Sequence, residues 1–473
     1  MILAYIPVFA YIPVFVCLTL LVSAKWSFSY FGLSCFEQII FHLKVPLEGT
    51  NTEFITDWVK KCGIKALGLT IIVYFIQSWF FPHPFVFIHI LCAASLIWAA
   101  HTVGMFEWII NQFRKTNLYE TYFVDTNTVK MTFPEKKQNL IYIFVESLET
   151  TYTSKENGGD YPEDLIPRLS RLGKEHLNFS HQEQLGGAHV LAGTGWTTGG
   201  IVAQTSGVGL TVPLTSHRFK EGVPFLEKTK TLQDILHEEG YQQEFCIGSQ
   251  AAFGGRKFYF DTHGPVKIFD YNTVKNQLPA NYPVFWGFED EKLFAYAKEE
   301  ITKMASKDQP FHFSMLTVDT HHPKGYKDRH YQNQYPERLS NIIHESDRKI
   351  GEFIQWIQAQ PFYKDTTIVI CGDHTSMAEE YISHTYDPSY DRTTFNTIIH
   401  AKNKPKQNKN RKFTSFDFFP TVLSAMGVKI EGDRLGFGTN LFSDQKTIPE
   451  KIGYKRFDKE LRKQSKYYWE HIL

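Results

Sequence analysis

Hydrophobicity along the chain falls into two regimes. Residues 1–24 contain no charged side chain, and the run is long enough to cross a hydrocarbon core of ~30 Å. A cleaved signal peptide would start basic and hold a shorter apolar stretch, so a retained helix is the expectation. Two further apolar stretches follow, Ala66–Phe81 and Pro84–Val103, joined by a tight turn at Phe81-Pro82-His83-Pro84. Three spans place the first residues and the later chain on opposite sides of a membrane. Residues 105–117, with Phe106, Trp108, Ile109, Ile110 and Phe113, form an amphipathic segment expected to lie in the interface. The tandem Ala-Tyr-Ile-Pro-Val-Phe at 4–9 and 10–15 is a local duplication, and its prolines are tolerable in a membrane helix.

From about Lys137 short apolar runs alternate with amphipathic ones. The runs predict strands at Asn139–Val145, Gln242–Ile247, Phe311–Val318, Thr366–Cys371 and Phe395–His400. Helices are predicted over Glu163–Glu175, Thr231–Glu239, Glu289–Ala305, Pro336–Ala359 and Ser415–Met426. Such alternation indicates an α/β domain with a largely parallel sheet. The expected organisation is a membrane region over 1–117, a linker over 118–136, a catalytic domain over 137–445 and a basic, aromatic tail over 446–473. The basic loop Lys402–Lys412 and the tail read by default as solvated charge runs, with anionic lipid headgroups as the functional alternative.

Composition narrows the partners. Fifty basic residues balance fifty acidic ones, which gives no global pull toward nucleic acid. The 15% aromatic content fits an ordinary core, and it equally fits membrane proximity or carbohydrate contact. The six cysteines show no C-x-x-C spacing, which argues against a zinc ribbon or thioredoxin-like site. Lys60, Lys61 and Lys65 precede the second span, and the positive-inside rule would put them, with the later domain, in the cytoplasm.

Four short blocks carry the chemistry. Glu146 and the pair Asp373-His374 each follow a strand-like run, where open α/β sheets build their sites. Oxygen and imidazole donors from distant segments are the ligands of a divalent cation, although a lone strand-end glutamate is commonly a cap or ion-pair partner. Thr197 follows Gly193, Gly195 and Trp196 at the start of a helix-like stretch. A hydroxyl there faces unpaired N–H groups that favour an alkoxide and a phosphate, whereas an ordinary N-cap is the bland reading. A threonine needs a metal or a base to become a nucleophile. His321 and His322, just past a strand, can hold a phosphate oxygen or move a proton, and Arg256 can clamp a phosphoryl group. The glycines match neither dinucleotide nor nucleotide-triphosphate loops.

Tyr142-Ile143-Phe144-Val145-Glu146-Ser147-Leu148-Glu149, Thr194-Gly195-Trp196-Thr197, Asp319-Thr320-His321-His322-Pro323 and Gly432–Phe442 together resemble the bacterial phosphoglycerol transferases. These group with lipoteichoic acid synthases in the alkaline-phosphatase/sulfatase-like superfamily. The resemblance covers roughly 137–445 and, more loosely, the Phe41–Thr50 loop. It implies the corresponding fold and a single divalent metal, commonly Mn2+ with Mg2+ or Zn2+ as alternatives, held by Glu146, Thr197, Asp373 and His374. It implies that Thr197 is the nucleophile and that His321 and Arg256 contact the phosphoryl group, with His322 ranked lower. It further implies a phosphatidylglycerol donor, a glycan acceptor, a bacterial inner or cell membrane, and an extracytoplasmic domain, against the lysine argument. A phosphoethanolamine transferase, a sulfatase and an inactive glycan-binding membrane protein are the rival readings. The sulfatase would require a C/S-x-P-x-R nucleophile block that Thr197-Thr198-Gly199-Gly200-Ile201 does not supply.

Overall fold

The computed structural model describes residues 8–31, 36–45, 52–80, 84–212, 222–280, 282 and 285–473. The start of the tandem repeat up to Pro7, the Pro46–Thr50 block and Phe81–His83 lie outside the described residues. Three apolar helices, Ile12–Phe31, Ile64–Phe80 and Pro84–Thr102, pack together. The first therefore runs further than residue 24, through Lys25, whose ammonium sits 4.1 Å over the Trp98 ring. Phe9–Phe28 and Phe85–Thr102 are each long and apolar enough to cross a membrane. Leu20, Ile71, Phe75, Trp79, Ile90 and Ile97 are exposed on the bundle. A surface this apolar belongs in a bilayer, not in water. The interfacial segment is a shorter helix than expected, Met105–Gln112.

The catalytic domain is built on a seven-stranded sheet. Its strands in chain order are β1 (Asn139–Val145), β2 (Gly187–Ala188), β3 (Gln242–Ile247), β4 (Lys267–Phe269), β5 (Phe311–Leu316), β6 (Thr366–Gly372) and β7 (Thr394–Ile399). Their spatial order is β2-β7-β6-β1-β5-β3-β4. β4, β3, β5, β1 and β6 run parallel, while β7 is antiparallel to β6 and β2 to β7. β1 is central and covered on both faces, which is why its run is continuously apolar. Leu140, Tyr142 and Phe144 enter one core layer, and Ile141, Ile143 and Val145 enter the other.

Two expected boundaries dissolve in the fold. Residues 118–136 are packed structure, not a free linker. Leu118 and Tyr119 are buried, Met131–Thr132 pairs with Lys429–Ile430, and Val124 N donates to Gly436 O. Nor is 446–473 a solvated tail. Phe457, Leu461, Tyr468 and Ile472 are buried in the same core, and the Tyr467 and Tyr468 rings pack against Tyr119. Arg411, from the basic loop, is itself buried and pairs with Glu450 at 2.7 Å, which fastens this segment down. The charges of 446–473 lie on helices whose apolar sides are used.

Candidate active site

The parallel strands bring their carboxyl ends to one edge, and the chain leaves that edge in opposite directions beside β1. A crevice forms where such a reversal occurs. Glu146 follows β1 and Asp373 follows β6, its immediate neighbour. Ser147 takes a left-handed turn, φ 56°, and its N–H donates to Asp373 Oδ1 at 2.9 Å. The His374 N–H donates to the same oxygen at 2.8 Å. Asp373 Oδ1 is thereby fixed, and Oδ2, buried, has no hydrogen-bond partner among the described residues.

His374 closes the cluster. Its Nε2 lies 3.4 Å from Asp373 Oδ2 and 3.6 Å from Glu146 Oε1. Its Nδ1 donates to Thr375 O at 2.8 Å, which leaves the Nε2 lone pair facing the carboxylates. Glu146, Asp373 and His374 each offer a ligand atom within 4.8 Å of the others, and all three are buried. Burial, then the neighbouring Glu146 charge, lifts Asp373 to about 7. Burial pulls His374 down, but the Asp373 and Glu146 charges outweigh it and leave the imidazole raised. Two carboxylates and a lone-pair nitrogen around an unsatisfied oxygen fit a divalent cation.

Thr197 is the first residue of the helix Thr197–Ser206, not its N-cap, which is Trp196. The other nine residues of that helix are buried, and Thr197 alone is partly exposed. Its Oγ1 stands 3.4 Å from Glu146 Oε2 and 3.3 Å from His374 Nε2. Two features seat the helix here. A Cβ on Gly200 would fall 2.1 Å from Asp373 O, so only glycine allows the close approach. Gln204 Nε2 donates to Gly372 O at 3.0 Å while its Oε1 accepts from the Tyr142 hydroxyl.

Arg256 reaches the same place through backbone. Gly254 and Gly255 both have positive φ, and Gly254 O accepts from Thr198 Oγ1 at 2.6 Å. The guanidinium is buried, donates from Nη2 to Ser249 Oγ and Gln250 O, and lies over Phe253. Its Nε has no partner among the described residues. Burial lowers it to about 10 against the raising pull of Glu146 and Asp373, so it stays charged at neutral pH.

His321 sits in the loop after β5. The loop braces Glu146: Thr317 Oγ1 accepts from Glu146 N at 3.0 Å, and Thr320 Oγ1 donates to Glu146 O at 2.6 Å. Burial brings His321 down to about 4. Its Nδ1 donates to His322 O at 2.9 Å, so a neutral ring presents the Nε2 lone pair. His322 stacks on His321 at 4.5 Å between centroids but is nearly buried, which makes it a backing for His321.

Several further groups support the site. Glu149 does not join the ligand cluster. It is buried, forms a bidentate pair with Arg392, and accepts from Ser376 N at 2.6 Å, tying the loop after His374 to β1. Lys349, inside a long helix, is buried and pairs with Asp319 at 2.7 Å and with Asp328. Asp290 accepts from the Val318 and Asp319 N–H groups. Replacing Lys349 with Met leaves two buried carboxylates uncompensated. The expected cost is about 3–5 kcal/mol, read as a fall in the denaturation midpoint together with loss of activity.

Comparison with known proteins agrees with this geometry. The family model described as Sulfatase matches residues 138–428. Phosphoglycerol transferase I of Escherichia coli (strain SMS-3-5 / SECEC) is 32% identical over 325 residues, 66% of this chain and 40% of the relative. The Shigella boydii serotype 18 protein of the same name has the same identity and coverage. The chain thus spans about 40% of the length of these relatives. The lipoteichoic acid synthase LtaP from Listeria monocytogenes aligns over 69% of this chain and 80% of its own, with TM-score 0.51 and 17% identity. The integral membrane protein lipooligosaccharide phosphoethanolamine transferase A (EptA) from Neisseria meningitidis aligns over 90% and 85%, with TM-score 0.53 and 14% identity. At such identities these two structures share the fold. The match over residues 138–428, more than half of the chain, makes it a member of the sulfatase family with the alkaline-phosphatase/sulfatase-like fold.

Proposed function

We propose that the protein is a membrane-anchored phosphoglycerol transferase that moves glycerol phosphate from phosphatidylglycerol to a glycan hydroxyl through a covalent intermediate on Thr197. The observation that carries the reading is Thr197, the one accessible residue of its helix, aimed at the Glu146–Asp373–His374 cluster. The 32% identity to phosphoglycerol transferase I supports glycerol phosphate as the transferred group. Glu146, Asp373 and His374, with Thr197, would hold one divalent cation, Mn2+ in this reading. When bound it supplies a Lewis acid that lowers the hydroxyl pKa and offsets phosphoryl charge.

Thr197 Oγ attacks phosphorus, the bond to diacylglycerol oxygen breaks, the threonine proton ends on that oxygen, and glycerophosphoryl-threonine remains. Glu146 Oε2 is placed to accept the hydrogen bond of the attacking hydroxyl. The Arg256 guanidinium, whose Nε has no partner among the described residues, faces charge on the non-bridging oxygens together with the helix N-terminus at Thr197. The glycan hydroxyl then attacks phosphorus and the bond to Thr197 Oγ breaks, while His321 Nε2, neutral and bearing its lone pair, takes the glycan proton and returns it to Thr197 Oγ. The deciding experiment incubates the protein with phosphatidylglycerol and Mn2+ and maps the adduct by mass spectrometry. A glycerophosphoryl group on Thr197 is expected, and an unmodified Thr197 under turnover overturns the reading.

The lipid donor places the catalytic domain outside the cytoplasm, despite Lys60, Lys61 and Lys65. Leu473 is buried, so a reporter fused there would disturb the fold. Lys406 is exposed, and Lys406→Cys should react with a membrane-impermeant maleimide in spheroplasts. Labelling only after lysis would show that the lysines were the better guide.

A further inference from the structure

The helix Phe36–Lys44 belongs by sequence to the membrane region, yet it packs on the catalytic domain beside the reacting groups. Its buried residues are Glu37, Gln38, Ile40 and Phe41. Gln38 Nε2 lies 3.1 Å from Met377 Sδ, in the loop that follows His374. The Phe41 ring is 5.5 Å from that of Trp196, the residue before Thr197. Just past the helix, Val45 Cγ1 stands 3.3 Å from where a Cβ on Gly255 would be, and Gly255 precedes Arg256. The helix thus spans the gap between the nucleophile and the arginine.

His42 follows Phe41 and is only half-buried, so a ligand can reach it. Its Nδ1 donates to Gln38 O at 2.8 Å, which leaves the lone pair on Nε2. Burial opposes its protonation more than the Gln38 hydrogen bond favours it, and the Arg256 charge adds to burial, so the ring is neutral. A neutral acceptor contributes nothing to binding a phosphate. It suits a hydroxyl.

On the phosphoglycerol reading above, the phosphoryl group lies among Thr197, Arg256 and His321, and the donor arrives from the membrane side, where this helix stands. We propose that His42 is a specificity residue for the donor headgroup, its Nε2 accepting a hydrogen bond from a glycerol hydroxyl.

The test is calorimetric titration of the full chain in detergent with Mn2+, using glycerol 3-phosphate and propyl phosphate. The two share the phosphate and three carbons and differ in their hydroxyls. Wild type should bind glycerol phosphate about tenfold more tightly. His42→Ala should lose that preference through weaker binding of glycerol phosphate alone. His42→Gln, which keeps an acceptor, should retain most of it. Unchanged affinity for propyl phosphate in the variants reports an intact fold and phosphoryl site. Should the alanine variant not fold, His42→Phe keeps the ring without the acceptor and should behave as predicted for alanine. A wild type that binds both ligands alike or neither, or a preference that survives in the variants lacking an acceptor, overturns the proposal. No turnover is needed, so failure of phosphatidylglycerol as donor would appear separately, in the adduct experiment.

Discussion

Thr197→Ala should abolish both the covalent adduct and transfer, with a loss on the order of 10^3-fold or more, and leave the fold intact. The side chain begins a helix, is partly exposed, and among the described residues its hydroxyl makes only the two long contacts to Glu146 and His374. Little stability rides on it. Thr197→Ser keeps an oxygen in place and should retain measurable transfer. Thr198→Ala is not silent. The Thr198 hydroxyl is buried and donates to Gly254 O, which holds the turn that carries Arg256. A loss of about 1 kcal/mol of support there should lower activity severalfold while the adduct still forms on Thr197. Transfer rates with peptide mapping of the adduct check all three variants, and an adduct found on Thr198 would sink the assignment.

Asp373→Asn should separate metal binding from folding. The amide oxygen can still accept from Ser147 N and His374 N, so the turn after β6 keeps its hydrogen bonds. What disappears is a buried negative charge beside Glu146. Without metal the variant should be at least as stable as wild type, because the like-charge contact is gone. With metal the order reverses. A cation at one hundred times its dissociation constant stabilises wild type by about 2.7 kcal/mol, and the variant should gain almost none of it. Its metal affinity should fall by more than about 100-fold and its activity with it. Paired melting curves in EDTA and in Mn2+, with metal content of the purified protein, give the answer. Stoichiometric metal in the variant would remove Asp373 from the ligand set.

The main sheet was readable because short β-like runs, continuously apolar in Asn139–Val145, alternate with amphipathic helices. The predicted Asn139–Val145 and Gln242–Ile247 strands coincide with the observed ones, and most other boundaries moved by one to three residues. The antiparallel sense of β7 was not legible, since Phe395–Ile399 reads the same in either direction. Residues 446–473 misled because Phe457, Leu461 and Tyr468 are sparse among lysines and arginines, and the basic residues set the impression. Glu146, Thr197, Asp373 and His374 stood out as chemical types in motifs, and the fold brings them together. His42 and Lys349 did not. His42 is placed by the packing of its helix on Trp196 and Met377, and Lys349 by Asp319 and Asp328, and neither carries a local pattern that separates it from an ordinary helix residue.

The segment that leaves the membrane helices has no slack. Lys115 bridges Gln464, Thr116 Oγ1 donates to Glu460, and Leu118 and Tyr119 are already core. On the proposed reading, Thr197 therefore stands at a constant height above the lipid surface. The enzyme has no arm to extend, so the acceptor must do the travelling. Which sugars are decorated then depends on how far a glycan can bend back toward the bilayer, and a stiff or remote one escapes modification however well its hydroxyl would fit.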